Sequence, residues 1–219
     1  MNEDFWRRLS DYGTPYHVKK GACISGHTGD SRAAYLLDEG ICALTSINGK
    51  GEEQVYLYFS ARRLIGFNQL FSSRAADSGE PQFTIMARTD CMLYRLPADV
   101  LFRLMKTSLE FQEFLVETMA DNYKEALIHF HRMKEESAAA RLCRLLLDIS
   151  TVKDGRKTVP GFFTYAELAK YLGTHAVTVS RIMAKLKQCG YISKIGRSVI
   201  LEREDMLAEL MMERMPLEY

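Results

Sequence analysis

The chain has 219 residues, of which 47% are hydrophobic and 26% are charged, and only 5 are prolines. This composition is typical of a globular protein with buried cores and excludes wholesale disorder. The formal net charge is +1, from 29 basic and 28 acidic residues, so the total charge excludes no class of partner. Only the distribution of charge along the chain is informative.

The sequence predicts neither a membrane protein nor a disulfide-rich one. No stretch approaches the ~18 apolar residues of a membrane span, and the first residues include acidic side chains and no apolar core, so we expect no signal peptide. The five cysteines are odd in number, widely spaced and never arranged as Cys-x-x-Cys, which favours neither a disulfide framework nor a zinc or iron–sulfur site. We expect a cytoplasmic protein without a membrane partner, a metal or a bound cofactor.

Short runs rich in β-branched and aromatic residues, punctuated by glycine, occupy about residues 14 to 96. Their length and spacing are typical of an antiparallel sandwich or roll. The clearest runs are Ala34–Leu37, Ile41–Ile47, Gln54–Phe59, Thr84–Ala87 and Cys91–Leu96.

From about Ala98 to Met133 the pattern becomes helical, and the helix carries two apolar stripes. The first has the spacing of a coiled-coil seam and contains Leu115, Met119, Asn122, Ala126, His129 and Met133. The second contains Val116, Ala120, Tyr123, Leu127 and Phe130. A helix with two apolar stripes has two surfaces to bury, so we predict a partner helix on one side and the β-domain on the other. A single broad stripe facing the core of a monomer is the alternative.

From residue 137 onward the pattern predicts a helix, short strands, two helices, a hairpin and a last helix. Thr164 and Glu167 form a capping box at the start of the first helix of the pair. Gly173 ends that helix, and Thr174 can cap the next one. A two-residue hairpin is predicted at Ile195–Ser198. Two short helices followed directly by a hairpin are typical of a winged helix-turn-helix.

Charge supports a nucleic-acid interface in the same segment. Between Lys170 and Ile200 there are six basic residues and no acidic residue, whereas an ordinary solvated surface mixes both signs. This local excess is expected of a phosphate-binding face. The predicted DNA-contacting residues of the second helix and the hairpin are His175, Ala176, Val177, Thr178, Ser180, Arg181, Lys185, Lys194 and Arg197.

The order of a β-roll, a long helix and a winged helix resembles the cyclic-AMP receptor and fumarate–nitrate regulator (CRP/FNR) superfamily over nearly the whole chain. The motifs that carry this resemblance are Leu64-Ile-Gly66, Leu70-Phe71, Leu172-Gly173, Thr178-Val-Ser-Arg181 and Gly190-Tyr-Ile192. Within the superfamily, the run from His175 to Arg181 is most similar to regulators of reductive dehalogenation, which sense chlorinated aromatics.

The resemblance implies an α+β fold in three parts. Residues 1–108 would form an antiparallel, effector-sensing β-roll of the cyclic-nucleotide-binding type, a double-stranded β-helix. Residues 109–136 would form the long dimerisation helix, and residues 137–219 a C-terminal winged helix-turn-helix. The resemblance also implies a homodimer on a palindromic operator in double-stranded DNA, a contact with RNA polymerase, and activation of transcription, with repression as the open alternative.

The sequence departs from the nucleotide-binding members at each nucleotide contact. Their Glu for the ribose is here Phe67, their Arg-Ser pair for the phosphate is Pro81-Gln82, and their hydroxyls for the base are Ala126 and Leu127. A phosphate without its guanidinium is poorly held, so we expect that cyclic AMP is not the effector. The cysteine-rich N-terminal cluster of the oxygen sensor is also missing, which argues against an iron–sulfur switch.

An apolar effector pocket between the roll and the long helix remains. Its predicted residues are Phe67, Asn68, Phe83, Ile85, Tyr123 and Leu127. We expect a small, partly apolar molecule of unknown identity, while a filled pocket, a cyclic nucleotide, a protein signal or a redox signal stays open.

A cupin-like enzyme is the competing class, because β-rolls can hold a metal between histidines on neighbouring strands. The β region has only His17 and His27, both near its beginning. His129 and His131 fall on the long helix, where residues two apart point to different faces. We therefore expect no catalytic activity.

Overall fold

The computed structural model describes residues 3–26, 32–71 and 82–219. Contacts divide the chain into a first unit, Met1–Leu127, and a second unit, Ile128–Tyr219. The long helix contributes residues to both units. Within the described ranges, no helix combines the length and the apolar character that a bilayer span needs. The three-part division at residues 108 and 136 stays a prediction.

Among its described residues, the first unit contains two four-stranded antiparallel sheets, three complete helices and most of a fourth. Its strands are β1 Thr14–Val18, β2 Cys23–Ser25, β3 Ala33–Glu39, β4 Cys42–Ile47, β5 Glu53–Phe59, β6 Arg63–Ile65, β7 Thr84–Ala87 and β8 Cys91–Pro97. Its helices are α1 Glu3–Ser10, α2 Asn68–Phe71, α3 Ala98–Thr107 and α4 Leu109–Glu135. The sheet orders are β1-β8-β3-β6 and β2-β7-β4-β5. The antiparallel β-roll predicted from the short runs is confirmed.

Strand β3 explains how one sheet serves two cores. Side chains alternate between the faces of a strand, and Tyr35 and Leu37 belong to the core between the two sheets. Ala34 and Leu36 belong to a second core, which α1, α3 and α4 cover. Because both faces are buried, the strand reads as a continuous apolar run instead of an alternating one.

Helix α4 has one apolar face against the β-roll and another that is exposed. Leu115 is 4% exposed and lies in the core that contains Leu36 and Leu64, so the prediction that Leu115 belongs to the dimer seam is wrong. The large apolar residues that α4 leaves exposed are Leu109, Val116, Met119, Tyr123, Leu127 and Phe130. The long predicted helix is also interrupted at Ser108, where extended backbone separates α3 from α4.

The second unit has the element order that the sequence predicts. Its elements are α5 Ala138–Ile149, β9 Thr151–Lys153, β10 Arg156–Val159, α6 Tyr165–Leu172, α7 Ala176–Gln188, β11 Ile192–Ile195, β12 Ser198–Leu201 and α8 Glu204–Met211. The four strands form one antiparallel sheet of order β11-β12-β10-β9. The winged helix-turn-helix is thus confirmed as α6, α7 and the β11–β12 hairpin.

Local hydrogen bonds fix where α6 and α7 begin and end. Thr164 Oγ1 accepts a bond of 3.2 Å from the amide of Glu167, as the capping box requires. Gly173 ends α6 at φ 59°, in the left-handed region that favours glycine. The sequence predicted Thr174 as the cap of α7, and this prediction is wrong. The N-cap is His175, whose side chain makes no capping bond.

Candidate DNA-binding and effector sites

The pair α6 and α7 is held together by one buried apolar face. Five apolar residues of this pair are buried, namely Leu168, Leu172, Val179, Ile182 and Leu186. The small Ala169 is also buried, which allows the two helices to approach closely. Because these residues take up one face of α7, the opposite face is left for a partner.

The predicted DNA-contacting residues lie on that free face and on the wing. The exposed ones are His175, Ala176, Val177, Ser180, Arg181, Lys194 and Arg197. Thr178 and Lys185 are half-buried. The fold therefore presents the whole predicted set at the surface of one unit.

Little of the positive charge on this surface is neutralised within the protein. Arg181, Lys185, Lys187 and Arg197 make no ion pair with any described residue. Lys170 is weakly paired, with its Nζ 3.8 Å from a Glu167 carboxylate oxygen. Unpaired surface cations bind phosphate with release of counterions, so the chemistry of this face suits a nucleic-acid backbone.

The ends of α7 and of the wing add backbone features to the same interface. Since the His175 side chain makes no capping bond, the first-turn amides of a 13-residue helix are left for an outside acceptor, and the helix dipole favours an anion there. The wing closes with Gly196 and Arg197 between the paired residues Ile195 and Ser198, which confirms the predicted two-residue turn.

A cavity of about 350 Å³ opens in the first unit, beside the turn that follows β6. Its lining comprises Ser25, Leu44, Leu57, Phe59, Ile65, Gly66, Phe67, Asn68, Gln69, Phe83, Ile85 and Asn122. Such a volume is at the lower end of the range of small-molecule sites, and the mostly apolar wall is typical of them. Four of the six residues predicted for the effector pocket, Phe67, Asn68, Phe83 and Ile85, are on this wall.

Two predicted pocket residues are not brought to the cavity. Among the described lining residues α4 contributes Asn122, and neither Tyr123 nor Leu127. Successive residues of an α-helix are about 100° apart, so when Asn122 faces the roll, Tyr123 points away from it. Tyr123 and Leu127 are both exposed on the outer face of α4.

Arg63 connects the strand before the cavity to α4. Its guanidinium donates to Oδ1 of Asn122 at 3.4 Å and forms an ion pair with Glu125. We call these contacts of Arg63 with Asn122 and Glu125 the Arg63 clamp. Asn122 therefore belongs both to the cavity wall and to the clamp. Sequence reasoning missed Arg63, Asn122 and Ser25 as site residues, because polar residues at these positions carry no local motif.

The cavity wall is poorly suited to a cyclic nucleotide. None of the described residues that line it is charged. Phe67, which replaces the ribose-binding Glu, is 2% exposed and packs into the core under the helices. Of the pair that replaces the phosphate-binding residues, Gln82 is exposed, and Pro81 lies outside the described residues.

A second polar cluster joins the end of α4 to α5 and α6 within the second unit. The His129 ring lies 4.5 Å from the Tyr171 ring, centroid to centroid. Arg141 donates to the carbonyls of Met133 and Glu136 at 3.2 and 2.6 Å. His129 is therefore a residue of this junction, and its predicted place in the dimer seam is wrong.

Burial lowers the pKa of His129 below its ordinary 6.5, and the nearby Arg141 and Arg132 lower it further. The unfolded chain then binds the proton more readily than the folded one, so this contribution to stability is present above pH 6.5 and is lost as the pH falls below it. Burial raises the pKa of Asp148 above 3.8, so the folded chain binds this proton more readily than the unfolded one, and the contribution of Asp148 to stability changes with pH in the opposite sense.

We expect the melting temperature of the second unit to fall between about pH 7.5 and about pH 5.5, and His129→Gln to flatten that fall. Thermal unfolding followed by circular dichroism measures it. His131→Gln is the matched control, because His131 is exposed on the same helix. Equal pH slopes in the two variants would contradict the role assigned to His129.

The histidines do not assemble a catalytic metal site among the described residues. His17 lies on β1 opposite Met92, and His27 lies outside the described residues. No group of three or more His, Cys, Asp or Glu in the described ranges is placed to hold a metal. The absence of a metal or cofactor stays a prediction.

The fold, the basic surface on α7 and the wing, and the cavity of the first unit define a class of protein. This class is a transcription regulator that binds DNA through a winged helix. Residues 16–108 match the family model of the cyclic nucleotide-binding domain, and residues 140–210 match that of the Crp-like helix-turn-helix domain. The chain belongs to the CRP/FNR superfamily, and the regulators it matches are not enzymes.

Individual relatives are distant but match nearly the whole chain. The fumarate and nitrate reduction regulatory protein of Escherichia coli K12 is 22% identical over 197 residues, which are 88% of this chain and 76% of that protein. FixK2 from Bradyrhizobium japonicum has the same fold, with a TM-score of 0.76 and 18% identity over 90% of this chain and 96% of its own. A structure of CprK complexed with OCPA matches with a TM-score of 0.63 and 19% identity over 94% of this chain and 93% of its own.

These matches do not distinguish the branches of the superfamily. The identities with the two solved structures are 18% and 19%, and likeness at that level shows the fold alone. The similarity to regulators of reductive dehalogenation therefore stays a prediction.

Proposed function

We propose that the protein is a ligand-responsive homodimeric regulator, in which a small, partly apolar effector controls the binding of a palindromic operator. The observation that carries the proposal is that α4 contributes Asn122 to the cavity and, at the next residue, Tyr123 to an exposed apolar face. One helix thus borders both the cavity and the surface that would join two protomers.

The exposed face of α4 has the pattern of a coiled-coil seam. Val116, Met119, Tyr123, Ala126 and Phe130 are spaced 3, 4, 3 and 4 residues apart, and all five are exposed. Contiguous apolar surface of this kind is seldom left to water, and the spacing is that of a and d positions. A second copy of α4 is the partner that this periodicity favours.

The clamp at Arg63 offers a route from effector to dimer. A ligand that contacts the Asn122 amide competes with, or strengthens, the bond between Asn122 and Arg63. Because Asn122 and Tyr123 are adjacent on a rigid helix, a small change in α4 at the cavity changes the packing of the seam. An effector acts in this way only if it binds the two arrangements with different affinity.

The residues on α7 and the wing would bind DNA. As an activator, the protein would also bind RNA polymerase, as the family resemblance implies. Titration of an operator fragment with the protein, with and without effector, tests the first part. Transcription in vitro with purified polymerase tests the second. A protein that shows no preference for DNA over a polyanion such as heparin at matched salt would refute the regulator.

Cyclic AMP and cyclic GMP should not bind at physiological concentrations. Their phosphate is an anion. Its transfer from water into a cavity whose described wall has no cation is strongly disfavoured. Isothermal titration of the full chain measures this directly, with adenosine as the control that lacks the phosphate. Micromolar binding of either cyclic nucleotide would favour the alternative, a cyclic-nucleotide sensor.

A further inference from the structure

Ser25 places a buried hydroxyl at the wall of the effector cavity. Ser25 ends β2, is 1% exposed, and lines the cavity. Its Oγ has no hydrogen-bond partner among the described residues. Buried side-chain polar atoms are nearly always paired, because an unpaired one loses its bonds to water without replacement. This hydroxyl is therefore a costly feature for the ligand-free protein.

The backbone around Ser25 holds that buried hydroxyl at the cavity wall. The β2–β7 register shifts between Cys23 and Ser25, which then lies opposite Ile85 on the cavity wall. Gly66 has φ 77°, and a Cβ there would lie 3.2 Å from Ser25 Oγ and 3.2 Å from the Tyr35 ring. A larger residue at Gly66 would be strained and would crowd the hydroxyl, so glycine preserves the space beside it.

The other polar side chains of the cavity are less buried or already engaged. Asn68 is exposed and Gln69 is half-buried, and the Asn122 carbonyl oxygen accepts from Arg63. The surfaces around Ser25 are apolar, from Leu44, Leu57, Phe59, Ile65 and Ile85. Ser25 is thus the most buried polar group of the described wall.

We propose that the Ser25 hydroxyl is the hydrogen-bond anchor for the effector, and that it selects neutral, largely apolar molecules with one hydroxyl or carbonyl group. The inference rests on the proposed function, because it takes this cavity as the effector site. A serine hydroxyl donates one bond and accepts others, so it pairs with either group.

The anchor discriminates in two directions. A pure hydrocarbon fills the cavity but leaves the hydroxyl unpaired, and a site built to form a hydrogen bond rejects an analogue that lacks the group. A carboxylate forms the bond but brings a charge into a wall whose described residues include no cation. The neutral hydroxyl or carbonyl compound avoids both costs.

The test uses three probes of the same shape, 2-naphthol, naphthalene and 2-naphthoate, on the full-length protein. Calorimetric titration is expected to rank 2-naphthol first, naphthalene next and 2-naphthoate last. Ser25→Ala should weaken 2-naphthol by about tenfold, the loss of one hydrogen bond, and should leave naphthalene within about twofold. Equal affinity of wild type and Ser25→Ala for 2-naphthol, or no binding of 2-naphthol to wild type, would overturn the proposal.

The melting temperature of the ligand-free protein distinguishes an unpaired serine from one that stabilises the fold. Replacing a stabilising serine by alanine would lower the melting temperature. Ser25→Ala should raise the melting temperature, by about 3 °C, because it removes an unpaired buried hydroxyl. Ser46→Ala is the matched control. Ser46 is also buried, but its Oγ is 3.3 Å from the Tyr56 hydroxyl, so this variant should lower the melting temperature. A destabilised Ser25→Ala would overturn the anchor.

The two levels of the proposal fail in different experiments. Binding of the probes is measured without DNA, and operator binding is measured both without and with 2-naphthol. A protein that binds its operator but not 2-naphthol refutes the proposal that Ser25 anchors the effector. The proposal that the protein is a DNA-binding regulator then still holds. A protein that binds 2-naphthol through Ser25 without any change in operator affinity supports the anchor and refutes the effector role of the cavity.

Discussion

Met119→Lys should convert the protein from a dimer, with a mass near twice the 25.0 kDa of the chain, into a monomer. Met119 is half exposed on α4, so a lysine there costs little in the isolated protomer. In the proposed seam the same ammonium would be buried against an apolar partner, at a cost of several kcal/mol. Sedimentation velocity at micromolar concentration measures the change in mass.

Asp121→Lys is the control for this dimer prediction. Asp121 is exposed on α4 and lies off the seam, so the dimer should survive even though the charge changes by two. Operator affinity should fall with the dimer in Met119→Lys, because both half-sites must be held at once. A Met119→Lys protein that keeps its dimer mass, or a wild-type monomer, would contradict the proposal that the exposed face of α4 forms the dimer.

The two stripes of α4 show where sequence reasoning reached its limit. Periodicity correctly indicated two apolar faces, but both had helical spacing, so either could have been the seam. The choice is made by long-range contacts, since Leu115 packs with Leu36 and Leu64 from the sheet. Asn122 and His129 have the spacing of the predicted seam, whereas their partners, Arg63 and Tyr171, are distant in the sequence.

The effector cavity was predicted in part for a similar reason. Phe67 could be placed by alignment with a known motif around Gly66. Ser25 could not, because a serine in a short strand has no distinguishing pattern and its lack of a partner depends on the surrounding strands. Helix α1, whose Phe5 and Trp6 are buried in the core under the helices, was also missed, since one amphipathic stretch of 8 residues gives little periodicity.

The winged helix was the best predicted part because its signals are local. The capping bond at Thr164, the left-handed Gly173 and the two-residue wing turn all depend on residues that are close together in the sequence. A run of cations without carboxylates is equally visible in the sequence. Which bases these residues contact depends on DNA geometry, and that part stays a prediction.

Selection from a random DNA pool should yield a palindrome with A·T-rich half-sites whose centres are about 34 Å apart, one helical turn, as a two-fold dimer requires. Many superfamily members have Arg and Glu where this chain has Ala176 and Val177, and these pair with guanine and cytosine. Here Val177 is 64% exposed and offers only methyl groups, which suit the thymine methyl. A G·C-rich half-site read at Val177 would contradict this account.

The reciprocal variant makes this prediction sharper. Ala176→Arg combined with Val177→Glu restores the guanidinium and the carboxylate on the exposed start of α7. The selected half-site should then gain G·C at the contacted pairs, with about 1–3 kcal/mol of discrimination for each. Ala176→Ser combined with Val177→Thr is the control that changes polarity without adding charge, and it should keep the A·T preference.

Arg181 should supply the largest single contribution of the reading helix. It is exposed, makes no ion pair with the described residues, and lies on α7 beside Ser180. If Arg181 reads guanine, Arg181→Ala loses affinity and relaxes one operator position. If it holds phosphate, affinity falls uniformly over all sequences and the salt dependence weakens by about one counterion. Lys187→Ala, nearer the end of α7 and also unpaired among the described residues, is the matched control. An Arg181→Ala protein with wild-type affinity and specificity would show that α7 meets DNA through a different face.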